Sequence, residues 1–465
     1  RHTQLRSDKK RSKFWLIAIL CLMILLPGGW FLWDRLEKEK PAIDMDLLSP
    51  HLGRDQEFTL AVSDVKSGLR RLWVGLLKNG QETVLYDKKF PSAGFFKGGK
   101  VHKTSVKIRI EPAILGFADG EAILRTVVSD YSWRDWWRGN KTYTEKTVAI
   151  DTRPPEIEVL SRAHNINQGG AGLVIFRTSE NCSQSGVQVG DSFYPGHTGF
   201  FNDNHVYLAF IALGYQQGTD TAIFVKVADL AGNQAKSGLN YHLRRKVFRR
   251  DRLNISDRFL KQKMPNFSSQ ISQDTNLSLV DKFLKVNRDL REANYQKIAD
   301  VCRNIDPKMH WQGDFIRLPK SATRAKFADH RTYMYKGREI DRQVHMGFDL
   351  ASVARSPIPV ANTGVVIFAE SLGIYGKTVI VDHGFGLFSM YAHLSQIGVE
   401  VGDQLAKGDI LGRTGVTGLA GGDHLHFSML IHDTFVNPVE WWDTNWIQHN
   451  VLSKIEGAGS SIKRE

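Results

Sequence analysis

Histidines and one aspartate gather in three short segments of the C-terminal third of the chain. "QVHMGFDLAS" contains His345 and Asp349, "SMYAHLSQ" contains His393, and "GGDHLHFSM" contains His424 and His426. On a β-strand, residues two or four apart point to the same face, so His345 is expected beside Asp349. The same spacing places His424 beside His426. Two imidazoles and one carboxylate suit zinc, because a catalytic zinc has three protein ligands and an open position for water.

The segments around these residues have the composition of short β-strands. "GVVIFAESLGIYGKTVIVDHGFG" contains apolar runs separated by glycine, and "VEVGDQLAKGDILGRTGVTG" leads to the last histidine pair. Such runs predict an antiparallel β domain, which we place at residues 311–443, followed by a C-terminal tail at 444–465. The stretch 306–340, directly upstream of the first histidine, is a candidate to cover the site.

Residues 345–442 resemble the catalytic core of the lysostaphin and LytM-type zinc endopeptidases. Their first motif, HxGxD, is matched by "HMGFD" at 345–349. Their middle signature is matched by "YAHLS" at 391–395, and their last by "HLH" at 424–426. The polar positions expected for the family are therefore all present.

The resemblance implies a role for each of these residues. His345, Asp349 and His426 would bind zinc, and His393 and His424 would stand on either side of the attacking water and the substrate carbonyl. The acid, base and oxyanion-stabilising roles stay unassigned between these last two histidines. The implied activity is a zinc-dependent endopeptidase that hydrolyses peptide bonds in peptidoglycan crosslinks or stem peptides during cell wall remodelling.

Two positions depart from the family pattern. Asp423 precedes the final motif where many members have proline, and Ser428 follows it where many have glutamate. Neither residue is an expected ligand, so the metal site is retained in this interpretation. We expect Asp423 to influence the charge of His424, and Ser428 to change the contacts around the ligands.

A second interpretation is a catalytically silent relative. Such a protein would act as a regulator or scaffold, binding wall peptide or activating another wall hydrolase. Silent relatives characteristically lack part of the His/Asp set, and this chain keeps all of it. The enzyme is therefore the favoured interpretation.

The N-terminal region has the pattern of a membrane anchor. A basic tail, residues 1–13, precedes "FWLIAILCLMILLPGGWFLW" at 14–33, about the 20 apolar residues that a spanning helix needs. By the positive-inside rule the tail stays cytoplasmic, and the rest is exported to the periplasm or cell wall side. A cleavable signal peptide is the alternative, but bulky and charged residues follow where a small-residue cleavage site would be expected.

The region between the anchor and the histidine motifs is predicted as two β-sandwiches and a connector. After a linker at 34–55, short alternating runs predict immunoglobulin-like sandwiches at 56–152 and 153–243, divided by "DTRPPE". Helical spacing follows within a basic connector at 244–310. Overall the chain is predicted to be mainly β. We expect each sandwich to act either as a spacer or as a module that binds the cell wall or a partner.

The charge of the chain is strongly positive, with a formal net charge of +13. One basic cluster, "RRKVFRRDR" at 244–252, could contact anionic lipid or wall polymer, or be a solvated linker face. No groove-reading motif accompanies this charge, so we expect no nucleic-acid partner. The oligomeric state is left open.

Overall fold

The computed structural model describes residues 4–47, 49–271 and 277–462, and the side chains of the first helix from residue 13 onward. The chain is mainly β, as predicted. It divides into two compact units: one contains the residues up to Pro154 together with Leu230–Asn233, and the other contains the remainder. The division after Pro154 lies within the "DTRPPE" stretch.

The first helix, α1 (Gln4–Arg35), includes the predicted anchor. Its segment Lys13–Arg35 has a mean hydropathy of 2.3 and is long and apolar enough to cross a membrane. None of its apolar window is buried within the protein. A signal sequence would have the same length and composition, so this helix is consistent with either an anchor or a signal.

The first unit is built from two main sheets, in the orders β1-β3-β8 and β2-β10-β9-β4-β5. Apolar residues from both sheets meet in one core, as in a β-sandwich. The predicted linker at 34–55 contains β1 and β2, which pair with β3 and β10. The elements are β1 (Ala42–Asp46), β2 (His51–Leu52), β3 (Gln56–Ser63), β4 (Leu69–Lys78), β5 (Gln81–Lys89), β6 (Ser92–Gly94), β7 (Gly98–Gly99), β8 (Lys103–Ile110), β9 (Gly120–Asp130), the helical turn α2 (Arg134–Trp137) and β10 (Lys141–Ile150).

The second unit begins with strands that correspond to the predicted second sandwich. They form sheets in the orders β11-β13-β16, β12-β19 and β15-β14-β17-β18. The strands are β11 (Ile157–Val159), β12 (His164–Asn167), β13 (Ala171–Thr178), β14 (Cys182–Val189), β15 (Ser192–Pro195), β16 (Val206–Ala212), β17 (Ile223–Asp229), β18 (Gln234–Gly238) and β19 (Tyr241–Arg244).

These strands share one hydrophobic core with the C-terminal region instead of forming a separate body. The ring of Phe210 lies 6.2 Å from that of Trp311 and 6.0 Å from that of Trp441, centroid to centroid. Every residue of β16, "VYLAFIA", is buried. A strand that is apolar on both sides must be covered on both sides, and the C-terminal region supplies part of that cover.

The predicted connector contains a strand as well as helices. Residues of the basic run form β20 (Arg250–Asn254), which pairs in parallel with a later strand, β22 (His330–Tyr335). Ser278 caps the second helix of the connector by accepting a hydrogen bond from Asp281 N at 3.1 Å. The helices are α3 (Asp257–Lys263), a 3-10 turn (Met264–Phe267), α4 (Leu279–Lys285), a π-helical turn (Val286–Leu290) and α5 (Arg291–Val301).

The C-terminal region centres on an antiparallel sheet in the order β21-β24-β32-β28-β27-β26-β30, with β33 paired to β32. A second sheet has the order β20-β22-β23. The further strands are β21 (Ala322–Ala325), β23 (Arg338–Val344), β24 (Phe348–Ala351), β25 (Pro357–Pro359), β26 (Gly364–Leu372), β27 (Gly376–Asp382), β28 (Leu387–Leu394), β29 (Gln396–Ile397), β30 (Gln404–Leu405), β31 (Ile410–Arg413), β32 (Leu425–Ile431) and β33 (Thr434–Val436).

The predicted C-terminal tail is helical and packed. After α6 (Pro438–Trp442) come α7 (Thr444–Ile447), a π-helical turn (Gln448–Leu452) and α8 (Ser453–Ile462). Ile447, Val451 and Ala458 are buried in the shared core. Apolar residues at helical spacing therefore fix this segment to the rest of the unit.

Candidate metal centre and its pocket

Three neighbouring strands of the large sheet carry most of the predicted site. Asp349 of β24 is the direct register partner of His426 on β32. His426 is in turn the register partner of Ala392 on β28, the residue before His393. Sheet pairing therefore brings together side chains that are far apart in the sequence.

His345 reaches the same place by a different route from the one predicted. β23 ends at Val344 and β24 begins at Phe348, so His345 and Asp349 do not share one strand and strand alternation does not explain their proximity. The chain turns between them at Gly347. A Cβ atom there would lie 2.5 Å from Ser428 Oγ and 2.7 Å from His426 Nε2, so only glycine lets the backbone pass beside His426.

His345, Asp349 and His426 converge on one point. Asp349 Oδ1 lies 2.9 Å from His345 Nε2 and 3.0 Å from His426 Nδ1. These two nitrogens are 3.0 Å apart. The three residues therefore form a group that could hold a metal ion.

The outer nitrogen of each of these two imidazoles has its own hydrogen-bond acceptor. His345 Nδ1 donates to Lys326 O at 2.9 Å, and His426 Nε2 donates to Ser428 Oγ at 3.1 Å. The Ser428 hydroxyl donates to Met346 O at 2.8 Å, so its oxygen is left to accept. The ring protons therefore lie on these outer nitrogens. The inner nitrogens, His345 Nε2 and His426 Nδ1, keep their lone pairs.

The centre therefore consists of two lone-pair nitrogens and a carboxylate oxygen within contact distance of one another. Three acceptors at this distance repel unless a cation lies between them. Donor atoms around a tetrahedral zinc are about 3.3 Å apart, close to the distances here, and two imidazoles with a carboxylate are a common zinc ligand set. The residues present fit a zinc ion.

His393 and His424 face each other beside this group, with ring centroids 4.9 Å apart. Their Nδ1 atoms are committed to backbone carbonyls: His393 to Thr417 O at 2.9 Å and His424 to Gly422 O at 2.8 Å. The Nε2 atoms are left for the pocket, and that of His424 lies 3.4 Å from Asp349 Oδ1. His393 has a φ of +65°, a left-handed conformation that is uncommon outside glycine and that often occurs at functional sites.

Burial and mutual charge shift the ionisation of the cluster. Burial raises the pKa of the Asp349 carboxyl, but its histidine neighbours outweigh this effect and hold that pKa well below its ordinary value. Burial lowers the pKa of His426 to about 4 and that of His393 well below its ordinary value. For His424, burial also lowers the pKa, but contact with Asp349 raises it more, so the net shift is upward. Without a metal, Asp349 is thus ionised and His393 and His426 are neutral near pH 7.

The cluster opens into a cavity of about 490 Å³, and its other walls come from upstream segments and from the segments around Tyr375 and Ala420. The stretch 306–340, predicted as a possible cover, supplies part of the wall and leaves this volume free. Arg331, on β22, places its Nη2 3.0 Å from Asp349 Oδ2. Sequence reasoning missed Arg331, although it lies in "FADHRTYMY", the segment just upstream of the matched motifs. The upstream lining residues include Asp251, Ile255, Phe259, Phe283, Arg291, Arg324 and Tyr333.

The two positions that depart from the family pattern have different surroundings. The Asp423 carboxylate accepts from Thr414 Oγ1 at 2.6 Å and from Arg355 N at 3.2 Å, so it is engaged away from His424. Contact with Asp349, not Asp423, raises the pKa of His424. Ser428 does contact a predicted ligand, as expected, because its hydroxyl accepts the outer proton of His426.

Comparison with known proteins gives matches that centre on this region. Peptidase family M23 matches residues 343–438. The DD-carboxypeptidase/endopeptidase Mpg of Neisseria meningitidis is 35% identical over 97 residues, which are 21% of this chain and 22% of Mpg. The peptidoglycan DD-endopeptidase ShyA of Vibrio cholerae is 31% identical over 96 residues, 21% of this chain and 22% of ShyA. The chain thus matches only about a fifth of the length of either relative.

Among solved structures, one assigned to peptidase M23 from Pseudomonas aeruginosa is similar to a larger part of the chain. It is 20% identical, with a TM-score of 0.38, and the match covers 59% of this chain and 94% of that one. The family match contains His345, Asp349, His393, His424 and His426. The C-terminal region of this chain therefore contains a LytM-type domain of peptidase family M23.

Proposed function

We propose that this protein is a zinc-dependent endopeptidase that hydrolyses peptide bonds in peptidoglycan crosslinks or stem peptides. The observation that carries the proposal is the convergence of His345, Asp349 and His426, with lone pairs directed inward, next to two further histidines in one cavity. The named activities of Mpg and ShyA, which are similar over this region, support peptidoglycan as the substrate.

His345, Asp349 and His426 would hold the zinc ion. Zinc, when bound, acts as a Lewis acid and makes hydroxide accessible near neutral pH. The outer hydrogen bonds of His345 and His426, to Lys326 O and Ser428 Oγ, keep the imidazoles in the orientation and tautomer that ligation needs. Asp349 and His426 lie opposite each other on neighbouring strands of the large sheet, so two of the three ligands are held by rigid elements.

His393 and His424 would handle protons at the scissile bond. Because each Nδ1 is tied to a backbone carbonyl, each ring presents Nε2 to the cavity. From there one imidazole can accept a proton from the attacking water, and the other can donate to the developing oxyanion or the leaving amine. Which histidine has which role stays open.

We further propose that α1 anchors the protein in the cytoplasmic membrane, with the basic residues 1–13 in the cytoplasm and the remaining chain exported. The apolar helix and its basic flank support this topology. The first sandwich would then act as a spacer that carries the peptidase toward the wall. The positive net charge would favour a loose, salt-sensitive association with an anionic envelope.

The decisive experiment is digestion of purified peptidoglycan by the detergent-solubilised full chain. The zinc-loaded protein is expected to release peptide-crosslink products, and a chelator is expected to abolish the release. A His393→Asn variant serves as the matched control, because asparagine tolerates the positive φ at this position and the zinc ligands stay intact. If a folded, zinc-loaded protein releases no product, the enzyme proposal fails and the silent regulator replaces it.

A further inference from the structure

An irregularity in the edge strand next to the metal ligands directs one arginine into the cavity. In the pairing of β21 with β24, Thr323 lies opposite Leu350 and Ala325 lies opposite Asp349. Arg324 is the additional residue between these two pairs, so it forms a β-bulge directly beside a predicted ligand. Bulges next to active sites characteristically redirect a side chain, and Arg324 lines the cavity.

Among the described residues that line the cavity, positively charged side chains outnumber carboxylates. Its carboxylates each have an arginine partner: Asp251 lies 2.7 Å from Arg249, and Asp349 lies 3.0 Å from Arg331. Bound zinc would add two positive charges to this wall. The cavity is therefore suited to a ligand that carries negative charge.

Arg324 is the cavity arginine that is free to meet such a ligand. Arg291 is committed to Asn287, donating to its backbone oxygen at 3.0 Å and to its Oδ1 at 2.6 Å. Arg324 is exposed, and its side chain forms no ion pair or hydrogen bond within the described part of the chain. A guanidinium binds a carboxylate through two parallel hydrogen bonds, which confers both affinity and orientation.

We propose that Arg324 forms a carboxylate-binding subsite that selects peptides with a free carboxylate close to the scissile bond. This inference rests on the proposed peptidase function, since it names the substrate class for the same cavity. Arg324 anchors the substrate and takes no part in bond cleavage. Its loss should therefore affect binding much more than turnover.

The test compares two synthetic crosslinked stem peptides, one with free carboxylates and one with the same carboxylates amidated. For the wild-type full chain, KM for the free peptide is expected to be about tenfold or more below that for the amidated peptide, from the strength of a charged hydrogen bond. Arg324→Gln should remove this preference by raising KM for the free peptide, with kcat within about twofold. Arg324→Lys should keep part of the preference.

Arg303→Gln, a change at an exposed helix end whose partner is Asp300, is the matched control and should behave as wild type. Equilibrium binding of both peptides is measured in parallel, so that the subsite is tested even without turnover. A binding preference that Arg324→Gln abolishes supports the subsite, whether or not the peptides are cleaved. Equal binding of both peptides by the wild-type chain, or an unchanged preference in Arg324→Gln, overturns it. Failure of cleavage alone counts against the peptidase function only.

Discussion

Arg331 and Asp349 form an ion pair on the side of the carboxylate that faces away from the other predicted ligands. Arg331 Nη2 donates to Asp349 Oδ2 at 3.0 Å, while Oδ1 of the same carboxylate lies 2.9 Å from His345 Nε2. The pair is largely shielded, with the two side chains 19% and 14% exposed. Arg331 therefore acts as a positioning residue that turns Oδ1 toward the imidazoles.

Replacing Arg331 by Gln should weaken metal binding about 10- to 100-fold, the range expected when a partner of a metal ligand is lost. The measurement is zinc affinity by competition with a chromogenic chelator. Arg331→Lys should retain part of the affinity, and Arg342→Gln, an exposed change on β23, should retain all of it. Unchanged or tighter zinc binding in Arg331→Gln would show that the guanidinium competes with the metal instead of supporting its ligand.

Variants of the predicted zinc ligands should contain less zinc than a variant of one of the other two histidines. Asp349→Ala and His426→Ala should lose most bound zinc, because each removes one of three protein ligands. His393→Asn should retain zinc while turnover falls about 10²- to 10⁴-fold, as expected for a general acid or base. Elemental analysis of the purified variants gives the zinc content. Equal zinc in all three variants would refute the ligand assignment.

Gly347 should tolerate no side chain. In Gly347→Ala the new methyl group would overlap Ser428 Oγ and His426 Nε2, so we expect overpacking to cost about 1 to 3 kcal/mol and zinc affinity to fall. Gly421→Ala is the control, because a Cβ there meets nothing within 4 Å. Thermal unfolding and zinc titration of both variants provide the comparison. Wild-type zinc affinity in Gly347→Ala would mean that the backbone beside His426 can shift without consequence.

Glu440 should make the stability of the second unit depend on pH. Its carboxylate accepts from Asn167 Nδ2 at 2.7 Å and from Ala171 N at 2.8 Å, and burial raises its pKa from 4.5 to about 7. Between these two values the folded state binds more protons than the unfolded state, so stability falls as the pH rises through this window. The loss is about 3 kcal/mol from the pKa difference.

The comparison with Glu440→Gln isolates this contribution. Calorimetric Tm values from pH 5 to pH 8 should fall more steeply for the wild-type chain than for the variant. Glu456→Gln, at an exposed position on α8, should follow the wild-type curve. Parallel curves for the wild-type chain and Glu440→Gln would rule out Glu440 as the source of the pH dependence.

Local patterns in the sequence were sufficient to predict several features of the structure. The apolar run at 14–33 and the alternating strands depend on residues close together in the chain, so their spacing predicts them. The spacing of "HMGFD", "YAHLS" and "HLH" likewise identified the M23 domain. It also selected the five residues that the fold brings into one cavity.

Tertiary structure alone decided how these parts meet. Strand pairing sets Asp349 opposite His426, and a turn at Gly347, not strand alternation, brings in His345. The fully buried β16 joins the strands at 157–244 to the core of the C-terminal region, and β22 carries Arg331 to Asp349. Sequence periodicity reports which face of an element is apolar. It carries no information about register or about which distant element covers that face, because long-range packing determines both.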